Sequence, residues 1–580
     1  MATRQSYVLA FLAFAFLCRT SAASDVELPL GKVQQGTVTA GKTQSYALSL
    51  TAGDLAEITI GTHGRQLVAV VYGPSGSKIR GFRIGPDDAK LDFVTEFTGP
   101  HRLEIIPGDK TTEGNYTVTL GRIVALADRL AAGPAKNESP IIKSLRAAIE
   151  SGQEGSVDNF WADVKKKGAP LIEPLEGDQK NMLVTFLWKG TPETRNVLLE
   201  WSPFTGQSPD DYSLSRLGET DIWYKTLKID GQKRFVYGLA VNAPHLTSDP
   251  GLMTPEVGAL MNAAYQPDPL NPKRWLVDRD DPDSPQYQGV SEVEMPDAPA
   301  QPWLAKRQGV SAGTIEKHQF TSALLKNERE IGIYLPPGYS KDAKPYDLLL
   351  LFDEDAYLPS EKHGTIVPTP TILDNLISES RVPPMVAVFI DNVPGARARE
   401  LPCNPEFADF LNFELVPWIR RLYNVTADPR QTVVGGSSFG GLAATYAGLR
   451  HPETFGNIIS QSGSYWWTPP KSSNPYDFDR DAEPDWMAKQ FIASPRLPLR
   501  FYMDAGSDEL DVSGRGRGIL LTSRELRDVL LAKGYVVHYQ EFDGGHDYLS
   551  WRETLADGLI LLMGSTFAQA PQKAAANSEP

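Results

Sequence analysis

Apolar positions change their spacing three times along the chain. From Gly31 to about Arg122 they alternate with polar ones in short runs closed by turn residues, at 41–50, 56–60, 68–72, 101–106 and 116–120. A period of two is that of strands with one buried face, so this segment predicts a small β-sandwich. Past residue 123 the spacing lengthens to that of helices, at 141–150 and 157–166. Alternation returns at 182–188, 196–201, 222–227 and 233–241, which predicts a second β module, whereas 242–310 is rich in Pro and Asp with few periodic runs. From Gly313 onward strand-like runs alternate with helical stretches at 406–422, 442–450 and 520–533. That is the βαβ rhythm of a parallel sheet.

Within this last region Thr432, Val433 and Val434 lead into Gly436, Ser437, Ser438, Phe439, Gly440 and Gly441. A strand ending in GxSxG reads as a nucleophile elbow, with Ser438 the nucleophile and glycine required at Gly436 and Gly440 where a side chain would crowd the turn. The following helix would aim its first amide, that of Phe439, at a developing oxyanion. A histidine is needed downstream, and the chain has eight. His546 follows the strand-like run Val536–Phe542 in a Gly-rich loop, while His318 and His538 fall inside strand-like runs and read as structural. Between serine and histidine, a strand-like run at 499–503 is followed by Asp504, Asp508 and Glu509. Any of the three could hold the imidazole tautomer, and spacing alone does not choose. The apolar run Asp347–Phe352 predicts a buried strand, and the loop after it, Asp353, Glu354, Asp355, would supply the second oxyanion amide through Asp355.

At 580 residues the chain exceeds one ordinary core and predicts a multidomain protein. Arg4, the apolar run 8–18 and the small residues Ser21, Ala22 and Ala23 have the form of a cleaved signal peptide, so a periplasmic or secreted protein starting near Ser24 is expected. Removing that segment leaves Cys403 alone, without an internal disulfide and with a buried thiol expected. The formal charge of −15 argues against nucleic acid or an anionic membrane surface as partner, and no stable membrane anchor is expected. HExxH and paired CxxC motifs are missing, so neither a protein-held metal nor another cofactor is expected.

Four separated motifs occur in one order: RELPCN at Arg399–Asn404 with Phe407, GGSSFGG around Ser438, SQSGSYWW at Ser460–Trp467 and GGHDYLSWR at Gly544–Arg552. Together they resemble the enterochelin (ferric enterobactin) esterases, over roughly residues 156–560, with Asp268, Pro269, Leu270, Asn271 and Pro272 matching the family's N-terminal domain. The resemblance implies an α/β-hydrolase catalytic domain preceded by two β-sandwich domains. The layout is a signal peptide (1–23), an accessory β-sandwich (24–122), a helical linker (123–155), an enterochelin-esterase-like sandwich (156–310), the catalytic domain (311–566) and a disordered tail (567–580). It implies the triad Ser438, Glu509, His546, the acid falling third after Gly506. The implied activity is that of an exported serine esterase cutting the trilactone of catecholate siderophores to release iron that arrives with the substrate. An anionic ferric catecholate calls for cations and rings at the site, for which Arg397, Arg399, Arg552, Trp466 and Trp467 are the candidates. Three features depart from the family pattern: the export segment, the first β domain with its unknown ligand, and Glu354 where the family has glycine. Feruloyl or acyl-carbohydrate ester hydrolysis, and a non-catalytic exported binding protein, are the alternative readings.

Overall fold

The computed structural model describes residues 26–564 apart from 40–42, 66, 77, 85–88, 96, 108–112, 126–137, 202–212, 244–263, 276–288, 360–363, 471–484 and 511–517. The expected export segment and C-terminal tail lie outside these residues. The chain divides into two compact units, the first built around the N-terminal β domain and the second comprising the rest.

In the first unit, strands Val26–Glu27, Gln44–Leu50, Gly99–Pro107, Leu67–Tyr72 and Lys78–Ile84 form one sheet in that order, and Val33–Val38, Gly114–Val124, Leu55–Gly61 and Ala89–Val94 form another. Tyr46, Leu48, Ile58, Phe93, Leu103 and Val118 from both sheets share a single core. Alternate burial along Gly99–Pro107 is the period-two pattern that makes these residues a strand. Lys78–Ile84, with a lysine, two arginines and a glycine in seven residues, gave no such signal.

The second unit opens with helix Pro140–Glu150, which the Ser139 hydroxyl caps by accepting from the Ile142 amide at 3.1 Å, and helix Ser156–Lys167. Two antiparallel sheets follow, with strand orders Leu171–Leu175, Asp178–Lys189, Ile222–Asp230, Ser215–Arg216 and Val197–Trp201, Arg234–Val241, Val290–Glu294, Arg274–Trp275. Phe186 and Ile229 of the first meet Leu199, Phe235 and Tyr237 of the second in one core. The 268–272 motif is part of this scaffold: Asp268 accepts from the Tyr237 hydroxyl at 2.7 Å and the Leu270 amide at 2.8 Å.

The C-terminal region is an eight-stranded sheet, here β1 (Thr314–Ser322), β2 (Asn327–Leu335), β3 (Asp347–Phe352), β4 (Met385–Ile390), β5 (Thr432–Ser437), β6 (Asn457–Gln461), β7 (Arg500–Gly506) and β8 (Val536–Phe542). Their spatial order is β1-β2-β4-β3-β5-β6-β7-β8. The β1–β2 and β2–β4 pairs are antiparallel, and the pairs from β4–β3 onward run parallel. Every residue of β3, β4 and β5 is buried, as expected of strands covered on both faces. Leu350 inside β3 is fully buried, and cutting such a side chain to alanine costs about 2–5 kcal/mol. The helical stretch expected at 406–422 is three segments: Pro405–Phe410, a π turn Leu411–Leu415 and Val416–Leu422. Pro417 supplies no amide to the helix ladder, and a wider turn precedes it.

Candidate active site

β5 runs out of the sheet into Ser438, whose backbone sits at φ 58° and ψ −120°, a strained conformation for a non-glycine residue. Its amide donates to Gln461 O at 2.9 Å and its carbonyl accepts from the Leu442 and Ser464 amides, both at 3.1 Å, so three contacts hold the strain. Helix α1 (Phe439–Arg450) starts at once. A Cβ on Gly436 would stand 3.0 Å from the Gly440 backbone, which explains the first glycine. At Gly440 a Cβ would meet Asp353 Oδ2 at 3.4 Å and Phe352 beyond, near ordinary contact, whereas at Gly441 it would meet Ser460 Oγ at 2.7 Å. The second tight position is therefore Gly441, not the expected Gly440.

Glu509 and His546 come together. His546 Nδ1 lies 2.5 Å from Glu509 Oε1, and Glu509 Oε2 accepts from the Gly506 amide at 2.6 Å. The carboxylate is buried, with 2% of the side chain exposed, while the imidazole is 37% exposed and open to a substrate. Its ring stands edge-on to Trp551, 4.7 Å between centroids, and Trp551 Nε1 donates to Ser462 Oγ at 2.9 Å. Ser438 Oγ faces Ser464 Oγ at 3.3 Å. Catalytic hydrogen bonds of free enzymes tighten only when substrate arrives. Ser464 is a neighbour of the nucleophile that residue-type reasoning missed; only its place in the SQSGSYWW motif marked it.

The other two acids have different surroundings. Asp504 is buried, desolvation pushes its carboxyl up to about 8, and its Oδ1 accepts from the Ser462 amide at 2.9 Å while His546 Nδ1 meets Glu509. Asp508 pairs with Lys233 of the second β domain, both carboxylate oxygens facing the ammonium and one at 2.5 Å. It is not the solvated neighbour that a loop acid usually is.

The three acids after β3 separate by role. Asp353, at φ 57°, accepts from Arg397 Nε at 2.7 Å, Arg397 Nη2 at 2.8 Å and Asn392 Nδ2 at 2.6 Å. Glu354 is buried 3.3 Å from Lys317 Nζ, and desolvation pushes its carboxyl up to about 7. Asp355 is exposed in the short helix Glu354–Tyr357, beside which the Asp353 carbonyl takes the Ala356 and Tyr357 amides at 2.9 and 3.1 Å. An unpaired Asp353 so close to α1 would oppose an oxyanion there, and the bidentate Arg397 neutralises it.

Three of the expected substrate contacts have partners within the protein. Arg397 pairs with Asp353, its side chain 37% exposed. Trp467 is buried in the core of the sheet region, its ring 5.4 Å from that of Trp486 and perpendicular to it. Arg552 donates to Gln301 Oε1 at 2.7 Å and approaches Glu292 at 3.6 Å, so it joins helix α2 (Tyr548–Met563) to the second β domain. Two candidates stay at the surface: Arg399 is exposed, and Trp466 is part-exposed with its ring 6.0 Å from that of Phe439, the residue after Ser438. Cys403 is the buried free thiol expected, and burial pushes it up.

Comparison with known proteins agrees with the motifs. Residues 322–562 match a family model described as putative esterase, and residues 183–304 one described as enterochelin esterase, N-terminal. An iron(III) enterobactin esterase from Dickeya dadantii is 30% identical over 465 residues, spanning 76% of this chain and 100% of that one. An iron(III) salmochelin esterase from Escherichia coli is 27% identical, spanning 73% of this chain and 98% of the other. Among solved structures, the enterobactin esterase of Shigella flexneri crystallised in the presence of enterobactin superposes with a TM-score of 0.53 at 27% identity, covering 69% of this chain and 96% of its own. With the elbow, the histidine loop and both family domains in one order over the full length of such a relative, the chain belongs to the enterochelin esterase family.

Proposed function

We propose that this protein is an exported serine esterase that opens the trilactone of a ferric catecholate siderophore. The observation that supports it most is the 2.5 Å contact of His546 with Glu509 at the C-terminal end of the sheet whose strand β5, separated from β7 by β6, carries the strained Ser438 elbow. An α/β-hydrolase presents its triad at that edge. In this reading Ser438 Oγ attacks a lactone carbonyl carbon as its proton passes to His546 Nε2, and Glu509 holds the ring by Nδ1. The negative charge that forms on the carbonyl oxygen meets the Phe439 amide and an amide of the 353–355 loop. When the tetrahedral adduct collapses, the ester C–O bond breaks and His546 returns the proton to the leaving serine hydroxyl of the substrate. Water then attacks the acyl-enzyme by the same route, freeing Ser438 and a linear product that chelates iron less well. The iron is cargo, carried by the substrate.

Arg399 and Trp466 are the surface groups fit to meet an anionic ring system, by charge and by stacking. Export rests on the sequence alone: Arg4, the apolar run 8–18 and Ser21–Ala23. An N-terminus at Met1 on protein recovered from the cytoplasm would refute it. The activity is tested by product analysis of purified protein on ferric enterobactin. Ring-opened dihydroxybenzoyl-serine oligomers are expected, and an untouched trilactone beside a hydrolysed feruloyl sugar would overturn the siderophore assignment.

A further inference from the structure

The second β domain grips the loops that carry the acid and the histidine. Lys233, in the turn between strands Ile222–Asp230 and Arg234–Val241, reaches Asp508, and the two side chains are 15% and 18% exposed. Asp508 is the residue before Glu509. The acid loop is in turn joined to the histidine loop: the Ser507 amide donates to Phe542 O at 2.8 Å and the Asp508 amide to Gly544 O at 3.1 Å. The approach is so close that a Cβ on Gly506 would stand 2.4 Å from Gly544 O. On the other side of His546, Gln301 Nε2 donates to Leu549 O at 2.7 Å while its Oε1 accepts from Arg552. The Ser438 backbone, by contrast, donates to Gln461 and accepts from Leu442 and Ser464, all inside the catalytic region.

Charge makes Lys233 the decisive member. Asp508 is largely desolvated, with Asp543 and Asp230 as like charges and Lys233 as the cation it pairs with; Asp230 has its own partner in Lys180 at 3.1 Å. Removing one partner of a largely buried pair leaves the other charge uncompensated. The loop would relax outward, taking Glu509 with it. A displacement of about 1 Å in a catalytic group can cost 10²-fold in rate.

We propose that Lys233 is a positioning residue: through Asp508 the second β domain holds Glu509 against His546, and so takes part in turnover without touching substrate. This rests on the triad reading above. Lys233→Met should lower kcat about 10- to 100-fold on a neutral aryl ester with KM within about twofold, and slow fluorophosphonate labelling of Ser438 to match. Lys233→Arg should restore most of the loss. Asp508→Asn should also lower kcat at constant KM, and the double variant Lys233→Met/Asp508→Asn should be no slower than Lys233→Met, because the uncompensated carboxylate is gone. Lys228→Met, which breaks the Lys228–Asp178 pair elsewhere on the same domain, should turn over normally. If Lys233→Met does not fold, Asp508→Asn and Lys233→Arg carry the same test. A folded Lys233→Met with unchanged kcat, or a loss fully accounted for by a lower titre of labelled sites, overturns the inference. Glu509→Gln separates the two claims: if it is crippled while Lys233→Met is not, only the inference fails, and if it is unaffected the triad reading fails with it.

Discussion

At Ser438 the left-handed backbone and the open Oγ serve one purpose, and replacing the hydroxyl removes it without disturbing the turn. Ser438→Ala should fold normally and lose about 10⁶ in kcat, read as turnover of an aryl ester, with retained activity in a clean preparation refuting the nucleophile. Glu509→Gln should lose about 10⁴, since a neutral amide no longer fixes the imidazole. The two arginines of the RARE segment separate by partner. Arg399→Ala should raise KM for a ferric catecholate while leaving a neutral aryl ester unaffected. Arg397→Ala should lower kcat for both, because it leaves Asp353 buried and uncompensated beside the oxyanion amides. Equal KM effects of the two variants would show that both arginines contact substrate. The turn that carries Ser438 and the loop that carries His546 were legible in sequence because glycines and a chain order mark them. Arg397 was not: an arginine near a motif looks the same whether it faces a ligand or an internal carboxylate.

Among elements, strands buried on both faces were the easiest to read. Asp347–Phe352 appears with the expected bounds, since a run of apolar residues closed by acids has one reading, whereas Val536–Phe542, exposed to half-buried along its length, was legible from its alternation. Of the β1–β2 hairpin only the strand-like run around His318 was legible: TIEKHQFTS is exposed along most of its length, and NEREIGIYL opens on four polar residues before its buried half. The elbow was recognised as a motif, yet which glycine is obligatory depends on what lies across from each Cα, a fact of packing that no local pattern contains. Gly441→Ala should destabilise by about 1–3 kcal/mol, because the methyl would press on Ser460 Oγ with the Gly436 carbonyl behind it. Gly440→Ala should cost less. Urea titration of the two variants compares them directly, and the reverse order would mean that the Gly440 turn, not the Gly441 contact, sets the limit.

Across the molecule, the division into β domains and a βαβ region could be read from changes of period, but the joint between the second β domain and the triad loops could not. Lys233, Asp508, Gln301 and Arg552 lie far apart in sequence and belong to no motif in common. Burial of acids is likewise a property of the whole. In the larger unit desolvation pushes Asp347, Glu354 and Glu553 up to about 7 and Asp504 to about 8. Each of these binds a proton in the folded state that the unfolded chain, near its ordinary value of about 4, has released. Their stabilising contribution is therefore complete below about pH 4 and is lost as pH rises toward 7 or 8. Carboxyls held low by partners, such as Glu294 on Arg234 and Glu541 on Arg524, act in the opposite sense, but only on acidification below the usual carboxylate range. His538, pushed down by burial, also favours higher pH, and its effect ends near the ordinary imidazole value of about 6.5. The unfolding midpoint of this unit should accordingly fall from pH 5 to pH 8, more gently above 7 where only Asp504 still holds its extra proton. Asp504→Asn, the neutral isostere, should stay folded and flatten that last portion. A midpoint that is level or rising between pH 5 and 8 in the parent would mean that these acids are ionised in the folded protein, and that unseen partners compensate them.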